Sequence, residues 1–279
     1  MGEQANTDQQ PNDFWSPVAY DTSAPFVAKL STKLLEYLDP KGTDKVLDVG
    51  CGDGKFTNNF IPAVGSVLGV DASPMMIEAA TRDFGGRNAK FKVLDCCYLD
   101  TDPEIVNGTW DKVISNSALH WILRDEDTRI STLQAIHRAL KPGGIFVFEF
   151  GGHGHVSEVF TALLYMLVQH GIPIEKAKEL NRWFFPSQIW FEDALKQVGF
   201  TVEEIEVEYR PTKLTSVDGG GLAGWVNLLG APMVNALPVE KRQSAVEQVC
   251  KVLEPVVTRG EDGSQWLGYV RLRGIARKS

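Results

Sequence analysis

The sequence predicts an α/β fold built on a mainly parallel sheet, and three observations carry that prediction. Strand-like and helix-like stretches alternate five times between residues 45 and 150, the rhythm of a sheet covered by helices on both faces. Runs such as Val46-Leu47 and Ile145-Phe146-Val147-Phe148 are apolar without alternation, as strands buried on both sides require. The first strand leads directly into Gly50-Cys51-Gly52-Asp53-Gly54, where missing side chains let backbone approach a ligand closely.

Taken in order, residues 1–13 are polar, lack the apolar core of a signal peptide and read as a disordered tail. Residues 24–38 carry Phe26, Val27, Leu30, Leu34, Leu35 and Leu38 at helical spacing, stopped by Pro40 and Gly42. Strands are expected at 45–49, 66–70, 89–94, 110–115 and 144–150, with helices at 55–62, 74–84 and 125–140 between them. Beyond Gly152 the rhythm changes. Helices are expected at 156–170, 174–181 and 187–198, the last with Ser187 as N-cap and Gly199 past its end. Residues 200–208 alternate Val202, Ile205 and Val207 with acidic residues, as a strand near a sheet edge does. Helical stretches at 222–229 and 239–253 and a strand at 266–276 complete the chain. The expected organisation is one domain over 14–279, with cap elements at about 14–38, 155–185 and 212–260.

Composition narrows the class. The 279 residues are 43% hydrophobic, enough for a substantial core, and the formal charge is −8. That balance argues against a nucleic-acid partner, which needs clustered Lys and Arg. The four cysteines form no CxxC pair and no zinc spacing, as expected of reduced thiols in a cytoplasmic protein. No stretch approaches the roughly 20 apolar residues that span a bilayer, so no membrane association is expected.

The loop then discriminates between cofactors. Dinucleotides usually sit on G-x-G-x-x-G, with pyrophosphate at a helix N-terminus. Here the spacing is Gly50-x-Gly52-x-Gly54, and Asp48 stands two positions before the first glycine. A carboxylate there would repel pyrophosphate but suits an ammonium group, which S-adenosylmethionine carries. Asp71 ends the second strand, where a carboxylate accepts hydrogen bonds from ribose hydroxyls. Asp95 ends the third strand and is placed to meet an adenine amino group. The three strand ends border the crevice where open α/β sheets bind ligands.

These residues carry a family resemblance. Val46–Gly54 resembles the first motif of class I S-adenosylmethionine-dependent methyltransferases, and Gly69-Val70-Asp71-Ala72-Ser73-Pro74-Met75-Met76 their second. Ser115-Asn116-Ser117-Ala118-Leu119-His120-Trp121 and Leu140-Lys141-Pro142-Gly143-Gly144 complete the set. The first of these two, with Arg210-Pro211-Thr212 and Tyr269-Val270-Arg271-Leu272-Arg273, is similar to the trans-aconitate methyltransferase-like branch. The resemblance implies a Rossmann-like, seven-stranded sheet with an antiparallel last strand and helical cap insertions. It also implies that S-adenosylmethionine leaves as S-adenosylhomocysteine. Asp48, Gly50, Cys51 and Gly52 would line the methionine portion and Asp71 the ribose. Ala72 and Met76 would pack near the adenine, Asp95 and Cys96 would reach its edge, and Asn116 would lie beneath the sulfonium. Tyr20, with Trp15 as the second choice, would supply an N-terminal aromatic lid.

Methyl transfer asks the protein chiefly to align two reactants and exclude water, so the acceptor half leaves weaker signals. His120 follows the fourth strand and is the candidate to deprotonate or hydrogen-bond the acceptor; its plainer reading is a loop-holding histidine. Trp121, His153, Trp183 and Trp225 are candidates for an apolar substrate pocket, the aromatics otherwise being core. His153 and His155 have no adjacent Asp or Glu to complete a ligand set, so no metal is expected. Arg210, Arg271 and Arg273 read either as partners of a substrate carboxylate or as surface ion pairs. The expected function is methyl transfer to an oxygen, nitrogen or carbon of a small molecule. The alternatives are a tRNA or other nucleic-acid methyltransferase, a non-catalytic S-adenosylmethionine-binding protein, and, weakest, a nicotinamide oxidoreductase.

Overall fold

The computed structural model describes residues 15–23 and 32–279, with only the backbone of Tyr20 and Asp21 described. The expected tail at 1–13 and most of the expected helix at 24–38 lie outside these residues. What is described begins with short helices α1 (Pro17–Ser23) and α2 (Thr32–Leu38), then β1 (Lys45–Val49) and β2 (Ser66–Asp71). Helix α3 (Pro74–Phe84) and strands β3 (Ala89–Val93) and β4 (Trp110–Asn116) follow, then α4 (Leu119–Ile122), α5 (Arg129–Ala139) and β5 (Leu140–Gly151). The remaining elements are α6 (Ser157–Gln169), α7 (Ile174–Glu179), α8 (Gln188–Gln197), β6 (Phe200–Lys213), α9 (Gly221–Leu229), α10 (Ala231–Val234), α11 (Val239–Val257) and β7 (Trp266–Lys278).

The seven strands form one sheet in the order β3-β2-β1-β4-β5-β7-β6. Each of β1–β5 runs parallel to its neighbours among them, and β7 is inserted antiparallel between β5 and β6. The strand order reverses at β1, so the crevice lies beyond its carboxyl end and that of β4. One core packs the sheet against α5 and α8 through Phe146, Phe148, Phe150 and Phe191. On the opposite face Leu34 and Leu38 of α2 meet Val46, Phe60 and Val147. A third cluster joins α6, α9 and α11 above the carboxyl edge. Removing a fully buried ring such as Phe148 from such a core costs about 3–5 kcal/mol.

Two expectations need correction. No α-helix follows the glycine loop: residues 55–62 form two 3₁₀ turns, Thr57–Asn59 and Ile61–Ala63. Pro62 supplies no N–H, and the Thr57 hydroxyl is drawn to Asp48 at 2.6 Å. The loop therefore presents glycine backbone and carboxylates, without the N–H groups of a following α-helix. The second correction concerns length. Strand β6 runs to Lys213, past Pro211, because an edge strand tolerates a residue that cannot donate to a ladder. Its pairs Thr212↔Leu267 and Lys213↔Trp266 extend the β6–β7 ribbon beyond the sheet. Leu214, Leu267 and Tyr269 there pack into the third cluster, so the ribbon carries that cluster.

Candidate active site

Strands β1 and β2 place the first group of residues. Gly50 and Cys51 N–H donate to the Val70 carbonyl at 2.8 and 3.0 Å, which turns the chain over the end of β2. Gly50 has φ +76°, and a Cβ there would lie 2.2 Å from Ala118 Cβ, so glycine is required twice over. Gly52, at φ +54°, faces open space. Its N–H donates to Asp71 Oδ2 at 3.0 Å, while Asp71 Oδ1 accepts from Ser73 N–H at 2.9 Å. Ser73 caps α3 through Met76 N–H, which fixes Asp71 at the strand end; Ala72 is exposed and Met76 buried.

Asp48 lies at the bottom of this cradle, 1% exposed. One carboxylate oxygen accepts from Thr57, and the other finds no hydrogen-bond partner among the described residues. Burial pushes its carboxyl up to about 7, against the Thr57 bond, with the charge of Asp71 adding to the rise. An orphaned buried carboxylate is costly unless something cationic completes it. The donor set thus fits an α-ammonium group, and the open face of Gly52 beside Asp71 fits a ribose. Asp95 caps the next turn, accepting from Cys97 N–H at 3.0 Å, and stays partly exposed. Cys96 is buried against the Val70 carbonyl (3.7 Å), and burial raises its thiol well above the ordinary range. Asn116 ends β4 at the rim shared by both halves of the cleft. The side chain of Tyr20 lies outside the described residues.

Beyond Asn116 opens an aromatic cavity. Trp15, Trp121, Trp183, Phe185, Trp225 and Tyr269 line it, with Ser117, His120, His155 and Arg271 as its polar groups. Trp15 meets Trp121 edge-on at 5.2 Å, and Trp225 Nε1 donates to the Tyr269 hydroxyl at 2.7 Å. The pocket candidates Trp121, Trp183 and Trp225 all lie here. His153 does not. The turn at Gly152–Gly154 leaves it exposed, and His155 takes the inward position, its Nδ1 at the Val270 peptide (3.0 Å from N, 2.9 Å from O).

His120 is buried against the His155 and Phe185 rings. Its Nδ1 accepts from Gly151 N–H at 3.4 Å, the bond that assigns the ring proton to Nε2. Burial, with Arg271 second, lowers its pKa to about 3, and His155 is depressed by the same causes in the same order. Both rings are neutral at pH 7, and His120 offers a hydrogen bond more readily than it takes a proton.

The three arginines of β6 and β7 are not surface pairs. They converge on Glu149, which is fully buried at the carboxyl end of β5. Glu149 Oε1 accepts from Arg210 Nη2 (3.0 Å) and Arg271 Nε (3.1 Å), and Oε2 from Arg273 Nη1 (3.2 Å). Burial would raise its carboxyl, but the three guanidiniums, Arg271 foremost, hold it below the usual range. Arg271, 3% exposed, also donates to Ser117 Oγ at 2.6 Å. Sequence reasoning missed Glu149, since only the register Asn116↔Glu149↔Arg273 brings it to the arginines, and His155, which is held inward by the Val270 peptide. Among the described residues no group of three or more His, Cys, Asp or Glu is arranged to hold a metal ion. No helix there is long and apolar enough to cross a membrane.

A sheet in this order, with a glycine turn over β2 and carboxylates ending β1 and β2, defines the class I methyltransferase architecture. Comparison with known proteins agrees. Residues 46–144 match the family model described as a methyltransferase domain. An uncharacterised methyltransferase of Schizosaccharomyces pombe is 35% identical over 272 residues, covering 96% of this chain and 99% of that protein. A malonyl-(acyl-carrier protein) O-methyltransferase of Acetivibrio thermocellus is 31% identical over 144 residues, 50% of this chain and 48% of that protein. In fold, the YcgJ protein of Bacillus subtilis superposes with a TM-score of 0.59 at 16% identity, covering 91% of this chain and 98% of that one. The chain belongs to the methyltransferase family: it is a class I, S-adenosylmethionine-dependent enzyme.

Proposed function

We propose that this methyltransferase acts on a small molecule with an apolar or aromatic body and a carboxylate, and that a carboxylate oxygen receives the methyl group. The observation that carries the reading is Arg271, a buried cation in the wall of an aromatic cavity beside two neutral histidines. A carboxylate fits that pairing, since guanidinium geometry matches it. It also arrives ionised, so no general base is needed, in keeping with the depressed basicity of His120 and His155. The similarity of residues 115–121, 210–212 and 269–273 to the trans-aconitate methyltransferase-like branch supports the same acceptor chemistry, as does the name of the Acetivibrio relative.

In this reading Asp48 and the turn through Gly50, Cys51 and Gly52 hold the methionine end of the cofactor, and Asp71 accepts from the ribose hydroxyls. Ala72, Met76, Asp95 and Cys96 border the adenine, with Asn116 beneath the sulfur. S-Adenosylmethionine supplies a methyl carbon on cationic sulfur, and its transfer to a carboxylate oxygen leaves a neutral thioether with no proton to remove. Arg271 orients the carboxylate, His120 donates to it through Nε2, and Trp15, Trp121, Trp183 and Trp225 exclude water.

The test is labelled-methyl transfer to a panel of arylalkyl carboxylic acids and their amides, with Arg271→Leu and His120→Ala alongside. Acids are expected as substrates and amides not, with KM for the best acid raised at least tenfold by Arg271→Leu. Equal transfer to acids and amides would sink the carboxylate reading, and full activity of His120→Ala would remove that residue from the site.

A further inference from the structure

We infer that Glu149 is a positioning residue that sets both the orientation of Arg271 and the charge the acceptor cavity presents; this rests on the carboxylate reading above. The groups facing the guanidinium leave little else to do so. Arg271 is tied at two points, Nε to Glu149 Oε1 and Nη2 to Ser117 Oγ. Glu149 also supplies the second hold on Ser117, since its main-chain carbonyl accepts from Ser117 N–H at 2.6 Å. Ser117 stands at φ +57°, a strained position for a residue with a side chain, between Asn116 and the helix bearing His120. One residue thus fixes the cavity's cation and the chain that leaves the cofactor rim.

The charges divide unevenly. Glu149 is shared by three guanidiniums. Arg273 also meets Glu206 at 2.5 Å and Glu208 at 2.8 Å, and Arg210 lies 3.9 Å from Glu208. Among the described residues Glu149 is the only carboxylate in an ion pair with Arg271. The cavity cation is therefore compensated in part, leaving a positive wall that adds to burial, the larger cause, in weakening the basicity of both histidines. A buried pair built for stability alone is commonly replaceable by apolar packing, whereas this one adjoins the place where an anion would dock.

Opposite changes of charge should then act oppositely. Glu149→Gln, with its amide oxygen in the place of Oε1, keeps the bond that orients Arg271 and removes the counter-charge, so an anion binds more tightly. Arg273→Gln, outside the cavity, leaves more of Glu149 to Arg271, so an anion binds less tightly. The probes are 3-phenylpropionate and 3-phenylpropionamide, read by tryptophan fluorescence on protein saturated with S-adenosylhomocysteine. With Glu149→Gln the acid is expected to bind about five- to tenfold tighter, and with Arg273→Gln about threefold weaker, at unchanged amide affinity. Parallel changes in acid and amide affinity, no change, or shifts of the reverse sign would overturn the inference. If Glu149→Gln does not fold, the sign of the Arg273→Gln shift decides. An acid-to-amide ratio near one in the unmodified protein counts against the carboxylate reading alone, because the opposed shifts of the two variants are scored separately.

Discussion

At the carboxyl ends of β1 and β2 the cleft wall is made of peptide groups and two carboxylates, all within residues 48–71. Across Asn116 the opposite wall is made of side chains drawn from Trp15 to Arg271. In the proposed reading the first wall approaches its ligand with backbone, so its geometry is written in glycines at fixed spacing. The second presents rings and one guanidinium, whose positions depend on helices and strands far apart in the chain. On that reading a common cofactor is met by a short rigid turn, and a particular acceptor by side chains that distant segments bring together.

The largest effect that tests this contrast is on the glycine side. Asp48→Asn should weaken S-adenosylhomocysteine binding on the order of a hundredfold, by loss of a buried charge contact, as measured by titration calorimetry. Acid affinity at the aromatic cavity should stay within about twofold, since Asp48 bonds to Thr57 and is not among the residues that line the cavity, and sites with separate partners couple weakly. If both affinities fell together, the two walls would not be independent.

Gly50→Ala probes where the walls touch. The added Cβ meets Ala118 at 2.2 Å and must also hold φ +76°, which should cost about 1–3 kcal/mol in a denaturation experiment. Ala118→Gly in the same chain should return the steric part and leave the backbone part. Full recovery, or none, would mean that one of the two causes had been misassigned.

A smaller effect comes with pH. The Asp48 carboxyl stands near 7 in the unliganded protein, so a cationic ligand must drive off a proton below that pH. Affinity for S-adenosylmethionine should fall up to tenfold per pH unit below about 7, and Asp48→Asn should flatten the profile. The sign for folding is the reverse. A carboxyl raised in the native state makes the native state bind more protons, so this group's contribution to stability declines from about pH 4 to pH 7. The smallest effect belongs to His153, exposed on its turn: His153→Ala should change acid affinity and melting temperature by no more than a surface substitution does, within about 0.5 kcal/mol.

The sequence by itself determined the sheet, its strand ends and the glycine turn with Asp48 and Asp71, because each is a local pattern: apolar runs of strand length, a Gly-x-Gly spacing, an aspartate at a strand end. It misread residues 55–62 as a helix because Pro62 and the pull of Asp48 on Thr57 override spacing. It stopped β6 at Glu208 because the alternation with acidic residues ends there, whereas the strand runs on through Pro211 at the sheet edge. Arg210, Arg271 and Arg273 were visible as residues, but whether they faced solvent or one another was not. Only the tertiary structure decided that, by inserting β7 antiparallel between β5 and β6 and setting all three against Glu149. It likewise turned His155 inward in place of His153. Charge and burial at such a meeting point come from register between strands distant in the chain, with Glu149 lying 61 residues from Arg210 and 122 from Arg271, which local sequence does not encode.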